Sequence, residues 1–222
     1  MKITFIYHSS FAVEMERHFF VFDYFGKGNL NIPKDKKVFF ISTHEHGDHF
    51  SEKIFDFNAD YYVLSEDIVA DKRENRYFVA PDESLKIEDV EFKFYDSTDE
   101  GFFTLVKAEG HALVFAGDHN WWFWDRYSEE DKAHMEKWFK GEIDKIKDEV
   151  DVVFSPVDPR MKDKYHLTGE YYIETLRPKY FFPMHMWDEY EISEKFKDEM
   201  QDIFPFCEIF TIKGPGEEFN LK

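Results

Sequence analysis

The segment Thr43-His44-Glu45-His46-Gly47-Asp48-His49-Phe50 directly follows the apolar run of residues 38–41. Its imidazole nitrogens and carboxylate oxygen are the usual ligands of zinc, and of iron or manganese at related sites. Because side chains two apart on an extended chain project to the same side, His44 and His46 form one pair of candidate ligands. Gly47 permits a sharp turn, after which Asp48 and His49 form a second pair that approaches from another direction. The segment therefore predicts a seat for two neighbouring metal ions.

The composition is that of a chain that can bury a large aromatic core. The length of 222 residues suits one domain, and we expect residues 1–222 to form a single domain. Hydrophobic residues make up 43% of the chain and aromatic residues 20%, with 27 phenylalanines. Rings rather than branched aliphatic side chains are therefore expected to fill the core.

The net charge of −19 narrows the classes of partner. Such a surface repels phosphate backbones and anionic lipid, so neither a nucleic acid nor a membrane is expected as a partner. A small-molecule substrate, even an anionic one, is compatible because bound metals reverse the local field. The single Cys207 excludes an intrachain disulfide, and charged residues interrupt the apolar stretch of residues 1–22, unlike in a signal peptide. We expect an acidic, soluble, cytoplasmic protein, for which a homo-oligomer is also compatible.

Strand patterns dominate the first half of the chain, and helices alternate with strands in the second half. The apolar patterns predict strands over residues 1–7, 11–15, 19–23, 37–42, 60–64, 76–79, 85–87, 90–95, 102–107, 112–115, 151–154, 179–182 and 207–212. Helices are predicted over residues 50–57 with Ser51 as N-cap, 128–150, 168–176 with Thr168 as N-cap, and 193–204. Sheets flanked by helices suit this order of elements.

Two further apolar strands end in a residue of the metal-ligating type. Residues 112–116 lead into Gly117-Asp118, and residues 180–182 lead into Pro183-Met184-His185. Ligand sites of layered α/β folds gather in the loops beyond strand ends. Taken alone, Asp118 is also compatible with a helix cap and His185 with a structural histidine. Together with the cluster at residues 44–49, both become candidate ligands.

The combined pattern resembles the metallo-β-lactamase-fold superfamily of metal-dependent hydrolases. The resemblance rests on His44-x-His46-x-Asp48-His49, then Gly117-Asp118, then Pro183-x-His185, and it spans nearly the whole chain. Within the superfamily, the chain resembles the branch that includes L-ascorbate-6-phosphate lactonase more than other branches. This closer resemblance rests on the opening His8-Ser9-Ser10-Phe11 and on the strand that ends in Asp23.

This resemblance implies a fold and a set of ligands. The implied fold is α/β (α+β), a four-layer αβ/βα sandwich of two mixed β-sheets flanked by helices. It further implies that His44 and His46 bind the first metal, that Asp48, His49 and His185 bind the second, and that Asp118 bridges them. Zn²⁺ is the expected cofactor, as one or two ions, with Mn²⁺ or Fe as alternatives.

The sequence departs from the family pattern at one ligand of the first metal. The family usually supplies a further histidine from the loop that corresponds to residues 95–101, and this loop contains no histidine. Either a carboxylate or water completes the first site, or the enzyme uses one tightly bound metal. Asp96, Asp99 and Glu100 are the oxygen-donor candidates, and a solvated acidic turn is the competing interpretation.

The implied chemistry is metal-assisted hydrolysis, in which a metal lowers the pKa of water toward about 7. Asp48 is the expected catalytic residue, which orients the water and accepts its proton. Candidates for contact with the substrate or for support of the ligands are His8, Asp96, Asp99, His119, Asp158 and Arg160. For Arg160, an anion-binding role and a surface salt bridge are equally compatible.

Three classes of function remain open from the sequence. The leading interpretation is a hydrolase of a small ester, lactone or phosphodiester. The alternatives are a diiron redox protein of the same fold and a metal-binding protein without hydrolytic activity. The substrate itself does not follow from the fold.

Overall fold

Fourteen strands form two sheets of seven strands each in the computed structural model, which describes residues 1–222. The first sheet contains β1 Lys2–Tyr7, β2 Ser10–Glu14, β3 His18–Phe22, β4 Lys37–Ser42, β5 Tyr61–Ser65, β6 Arg76–Val79 and β14 Glu218–Asn220. The second contains β7 Ser84–Ile87, β8 Val90–Asp96, β9 Phe102–Ala108, β10 His111–Phe115, β11 Val152–Pro156, β12 Tyr180–Met184 and β13 Glu208–Ile209.

Both sheets are mixed, as predicted. The first has the order β14-β1-β2-β3-β4-β5-β6, antiparallel from β14 to β3 and parallel from β3 to β6. The second has the order β13-β12-β11-β10-β9-β8-β7, parallel from β13 to β10 and antiparallel from β10 to β7. The carboxyl ends of β3, β4, β10, β11 and β12 consequently lie at one edge of the sandwich.

Alternating side chains of the strands build the two sides of each sheet. In β3, Phe20 and Phe22 enter a core of 51 buried residues, whereas Phe19 and Val21 enter a separate cluster of 12 on the outer face of the first sheet. Phe22 stacks on Phe115 of β10 at 4.6 Å between ring centroids, so aromatic pairs join the two sheets. Of the 51 core residues, 21 are aromatic and 20 are valine, isoleucine or leucine, so rings fill the core together with branched aliphatic side chains rather than in place of them.

Helices cover the sheets unequally. The second sheet carries α1 Glu129–Ile143, α2 Leu167–Leu176 and α3 Glu191–Met200. The outer face of the first sheet has only a 3₁₀ helix, Glu52–Phe57, whose Ser51 side chain accepts the Lys53 N–H as the predicted N-cap. The predicted sandwich of two mixed sheets flanked by helices is confirmed. No helix is both long and apolar enough to span a lipid bilayer.

Several predicted boundaries were wrong. The helix predicted over residues 128–150 ends at Ile143, because the chain then turns to lead Val150 into β11. Thr168 is not an N-cap: it lies inside α2, where its buried hydroxyl accepts the Trp121 N–H at 2.9 Å. The helix predicted over residues 193–204 spans Glu191–Met200. The short strand β14 was missed, as was a 3₁₀ helix at Pro159–Lys164.

Candidate metal centre

Eight side chains with nitrogen or oxygen donors meet at the edge where the parallel strands end. They form two groups, and within each group the donor atoms lie within 4.8 Å of one another. One group is His44, His46, Asp99 and Asp118, and the other is His8, Asp48, His49 and His185. The turn at Gly47 thus separates the two halves of the histidine segment, as expected from the sequence.

Asp118 joins the two groups. Its Oδ1 lies 3.0 Å from His49 Nε2 and 3.1 Å from His185 Nε2. Its Oδ2 lies 3.9 Å from His44 Nε2 on the other side. Asp118 follows β10 through Gly117, and its carboxylate therefore presents one oxygen to each group, which is the geometry of a bridging ligand.

Asp99 lies in the loop of residues 95–101, in which the sequence lacks a histidine, and its carboxylate reaches the first group. Its Oδ2 lies 3.5 Å from His46 Nδ1, and it belongs to the first group of donors. Asp96, the other aspartate candidate, is not in either group, and its carboxylate accepts a hydrogen bond from Trp138 Nε1 of α1 at 3.0 Å. Glu100 lies 3.4 Å from His46 Nε2 but is half-exposed. Among the carboxylates of this loop, Asp99 is therefore the one placed to complete the first group.

Three buried histidines are held so that Nε2 faces the centre. His49 Nδ1 donates to Asp23 Oδ2 at 2.7 Å, and His185 Nδ1 donates to Asp158 Oδ2 at 3.2 Å. His44 Nδ1 donates to the Thr43 hydroxyl at 3.0 Å, which in turn donates to Asp23. Such outer partners fix the tautomer and orientation of metal-binding imidazoles.

The atoms that face the centre have no hydrogen-bond partner within the protein. These buried, unpaired atoms are Nε2 of His44, His49 and His185 and Oδ1 of Asp118. Buried polar atoms are rarely left unpaired, since desolvating them without a partner is costly. Their convergence, with the carboxylates of Asp48 and Asp99 beside them, fits a pair of divalent cations.

The charges within the centre are strongly coupled. Burial raises the pKa of Asp118, but the His185 and His49 imidazoles outweigh burial and hold that pKa well below its ordinary value. Burial lowers the pKa of His185, but Asp118 and then Asp158 raise it to about 9. The carboxylates of Asp118 and Asp158 thus favour a positive charge beside them, whereas burial lowers the pKa of His44 to about 4 and keeps that imidazole neutral.

His8 differs from the other buried histidines of the centre. Its ring stacks on Trp187 at 3.9 Å between centroids, and its Nδ1 accepts the Trp187 backbone N–H at 3.1 Å. The neutral ring therefore carries its proton on Nε2, which lies 3.6 Å from Asp48 Oδ2. A protonated Nε2 is a hydrogen-bond donor and not a metal ligand, although His8 lies in the second group.

Thr43 packs against the loop that carries Asp99 and against the loop that carries Asp118. Gly101 adopts φ +64°, and a Cβ atom there would overlap the Thr43 carbonyl oxygen. Gly117 adopts φ +51°, and a Cβ there would lie 2.7 Å from Thr43 Oγ1. The Phe102 N–H also donates to the Thr43 carbonyl at 3.0 Å. Thr43 therefore sets the distance between the histidine segment and the loops of Asp99 and Asp118.

The sequence interpretation missed two supporting residues, Asp23 and Thr43. Asp23 is fully buried, accepts three hydrogen bonds from Thr43 and His49, and adopts φ +46°. The signal was present: a carboxylate follows the apolar strand β3, which is parallel to the strand that carries the histidines.

His119 and Asp158, two candidates for substrate contact, have supporting positions instead. His119 is buried between Phe103 and Phe139; it donates to the Phe139 carbonyl and accepts the Thr98 N–H at 3.2 Å. It therefore holds the loop that carries Asp99 and does not face the pocket. Asp158 is 1% exposed and lies between His185 and Arg160. Arg160 alone of these three residues lines the pocket above the centre.

Comparison with known proteins identifies the family of the chain. The model of the β-lactamase superfamily domain matches residues 2–185 of the chain. The chain therefore belongs to the β-lactamase superfamily. No curated protein matches it in sequence.

Solved structures share its fold at low sequence identity. A metallo hydrolase from the archaeon Ignicoccus hospitalis is 16% identical, with a TM-score of 0.65 over 100% of this chain and 99% of that chain. An isothiocyanate hydrolase from Delia radicum gut bacteria is 14% identical, with a TM-score of 0.60 over 100% and 99% of the two chains. The diiron β-hydroxylase CmlA from Streptomyces venezuelae is 11% identical, with a TM-score of 0.64 over 99% of this chain and 54% of that chain. These similarities establish the fold, which hosts both hydrolases and a diiron enzyme.

Proposed function

We propose that the chain is a metal-dependent hydrolase that cleaves a small ester, lactone or phosphodiester, with zinc as its metal. The observation that carries this proposal is Asp118, whose two oxygens face two separate groups of donors at the floor of one pocket. A pair of metals, if held by these two groups, would supply the chemistry used for the hydrolysis of acyl and phosphoryl groups. The resemblance of residues 8–11 to the ascorbate-6-phosphate lactonase branch makes lactones the first class to test.

The chain's own residues supply the proton transfer. Bound metals contribute Lewis acidity, which lowers the pKa of water and polarises the substrate oxygen. Asp48 orients the attacking water and accepts its proton; its side chain is 30% exposed, so water reaches it from the pocket. Burial raises the pKa of Asp48, but His8 and His49 outweigh burial and hold it below its usual range. Asp48 is therefore ionised at neutral pH, as a proton acceptor must be.

His8 steadies Asp48 rather than binding a metal in this mechanism. Its protonated Nε2 faces Asp48 Oδ2 at 3.6 Å, an electrostatic contact longer than a hydrogen bond, and the Trp187 N–H on its other nitrogen fixes that tautomer. We expect His8→Phe to retain the full metal content while turnover falls about 10–100-fold, as is typical when a residue that supports a metal centre from outside is lost. His185→Phe, the matched variant of a ligand, is expected to lose metal. Loss of one metal equivalent from His8→Phe, measured by mass spectrometry, would show that His8 is a ligand.

The function is tested with the zinc-loaded protein. Metal content is measured first, and a panel of lactones, esters and phosphodiesters is then assayed at neutral pH. We expect hydrolysis of at least one class, and Asp48→Ala is expected to abolish it while circular dichroism shows an intact fold. Asp96→Ala, which removes a carboxylate outside the centre, serves as the control. A fully active Asp48→Ala variant would refute the role of Asp48.

A diiron redox protein, or a metal-binding protein without hydrolysis, is the second candidate. Asp99 is the observation that favours the diiron protein. With Asp99, the first group has two carboxylates and two imidazoles, and a donor set with carboxylates suits Mn and Fe better than an all-histidine set does. Anaerobic loading with Fe²⁺ followed by exposure to air distinguishes the candidates. Visible absorption together with no hydrolysis of the panel would favour the redox protein.

A further inference from the structure

The pocket above the candidate metal centre is small and contains two arginines. Its volume is about 300 Å³, at the lower end of the range for small-molecule sites. Its floor has the donors of the centre, and its wall has Trp122, Trp124, Arg126, Tyr127 and Arg160.

Arg126 lies in the pocket without a carboxylate partner. Its guanidinium stacks over the Trp124 ring at 5.1 Å and lies 5.9 Å from the Tyr127 ring. The neighbouring Asp125 pairs with Lys162 instead. Acidic residues outnumber basic residues 47 to 28 in this chain, so an arginine without an acidic partner is unusual here. Its N–H groups are free to bind an anion.

Arg160 is held rigidly between the metal centre and the same aromatic wall. Nε donates to both oxygens of Asp158 at 3.0 and 2.9 Å, and Nη2 donates to Oδ2 at 2.5 Å. Its guanidinium lies 5.5 Å from the Trp122 ring and 5.6 Å from the Trp124 ring. One nitrogen, Nη1, makes no bond within the protein. The two arginines thus flank the face of Trp124, each with unused donors.

The charges of the pocket favour an anionic ligand once metals are bound. The carboxylates that line the pocket, Asp48, Asp99 and Asp118, all belong to the donor set. Metals neutralise these carboxylates, whereas nothing in the pocket neutralises Arg126. Guanidinium groups bind carboxylate and phosphate groups through paired N–H donors and stack on aromatic rings.

We propose that the substrate is a small anion: beside its hydrolysed bond it has a compact acid group, carboxylate or phosphate, which Arg126 and Arg160 bind over Trp124. This inference rests on the proposed hydrolase function. The indole rings of Trp122 and Trp124 contact the carbon frame of the substrate, and the acid group directs the opposite end toward Asp48.

Two esters of equal length test the preference for charge. Mono-4-nitrophenyl succinate carries a free carboxylate, and 4-nitrophenyl butyrate is its neutral counterpart. We expect kcat/KM to favour the succinate ester at least tenfold after correction for the uncatalysed rates. Arg126→Gln is expected to lower this preference about tenfold, whereas Arg73→Gln, an exposed arginine remote from the pocket, is expected to retain it. A preference unchanged in Arg126→Gln would overturn the proposal.

Binding measurements separate this inference from the hydrolase proposal. Calorimetry with the zinc-loaded protein measures Kd for succinate and for ethyl phosphate, which distinguishes a carboxylate from a phosphate as the acid group. We expect at least one of them to bind about tenfold more weakly to Arg126→Gln than to the unaltered protein. Hydrolysis of neither ester and of no member of the lactone, ester and phosphodiester panel, with this difference in Kd present, would refute the hydrolase and retain the anion site. Equal Kd values for the two proteins would refute the anion site.

Discussion

A buried histidine faces carboxylates at both ends of the sandwich, but only the end with the metal centre leaves imidazole nitrogens unpaired. At the end remote from the metal centre, His18 is 1% exposed, with Nδ1 2.7 Å from Glu109 and Nε2 3.1 Å from Asp89. At the other end, buried histidines use Nδ1 for a protein partner and leave Nε2 free. Strand β3 connects the two ends, from His18 to the residue before Asp23.

The difference separates a structural cluster from a functional one. Glu109 also accepts hydrogen bonds from the backbone N–H groups of Glu16, Arg17 and His18 at 2.8–3.0 Å. These three donors of the turn between β2 and β3 are therefore satisfied within the protein. Residue types are alike at the two ends, although Asp89 is 43% exposed and Asp23 is fully buried; the difference that bears on function is hydrogen-bond satisfaction. An unpaired buried donor set indicates an external partner, here a metal.

Removal of the bridging carboxylate is expected to have the largest effect. Asp118→Ala deletes the only residue that faces both groups, and we expect it to lower turnover on the order of 10³-fold or more and to reduce the metal content below that of the unaltered protein. Metal analysis and steady-state kinetics measure the two effects. Retention of both metals by Asp118→Ala would contradict this interpretation, because it would show that the two groups of donors do not depend on a shared carboxylate.

Removal of an outer partner is expected to have a smaller effect. Asp23→Asn weakens the support of His49 and Thr43, and we expect metal affinity to fall about 10–100-fold. Glu109→Gln is the matched change at the opposite end and is expected to leave metal affinity unchanged. Competition titration with a chromogenic chelator measures both variants. Equal losses of affinity would mean that the two ends are not independent.

A pair of glycines sharpens the comparison further. Both Gly101 and Gly110 adopt positive φ, of +64° and +80°, but only at Gly101 would a Cβ meet another atom within 4 Å. Alanine at either position is expected to destabilise the fold by about 1 kcal/mol through the backbone alone. Gly101→Ala is also expected to displace the Asp99 loop and weaken the first metal. Chelator titration and chemical denaturation separate these effects, and identical behaviour of the two variants would contradict the role of Thr43.

The smallest expected effect is an acid-dependent loss of stability at the structural end. Burial raises the pKa of Glu109, but hydrogen bonds from Arg17, His18 and Glu16 outweigh burial and leave it below its ordinary value of 4.5. Because the folded pKa is the lower one, the stabilisation is present above pH 4.5 and is lost as pH falls through the folded pKa. Denaturation of Glu109→Gln between pH 7 and 3 is expected to show a weaker pH dependence of stability than denaturation of the unaltered protein. An identical pH dependence would exclude Glu109 as its source.

Local patterns were sufficient for the strands and for the donor-rich segment. Alternating or continuous apolar runs marked all but one of the strands, and the spacing of residues 44–49 separated the two pairs of donors that the structure also separates. The strand β14 escaped prediction because its pairing with β1 is a contact between the two ends of the chain, which no local pattern encodes.

The support of the centre could not be read from spacing alone. Asp23 and Asp99 reach the histidine segment through strand order and loop packing, which place residues far apart in sequence side by side. The inner position of His119 depends on Phe103 and Phe139, one from β9 and one from α1. The tautomer of His8 depends on a single backbone N–H from Trp187. These features belong to tertiary contacts rather than to residue types.

Each group of donors draws on both sheets. His44, His46, Asp48 and His49 follow a strand of the first sheet, whereas Asp118 and His185 follow strands of the second. A metal in either group is therefore a cross-link between two layers that otherwise meet mainly through apolar side chains, with a few hydrogen bonds such as Phe102 N–H to the Thr43 carbonyl. The complete donor sets exist only after the layers have docked, while the unfolded chain keeps just the donors of residues 44–49 near one another. Metal capture is consequently the closing step of assembly, and an ion bound early by residues 44–49 would be held loosely until the second sheet arrives.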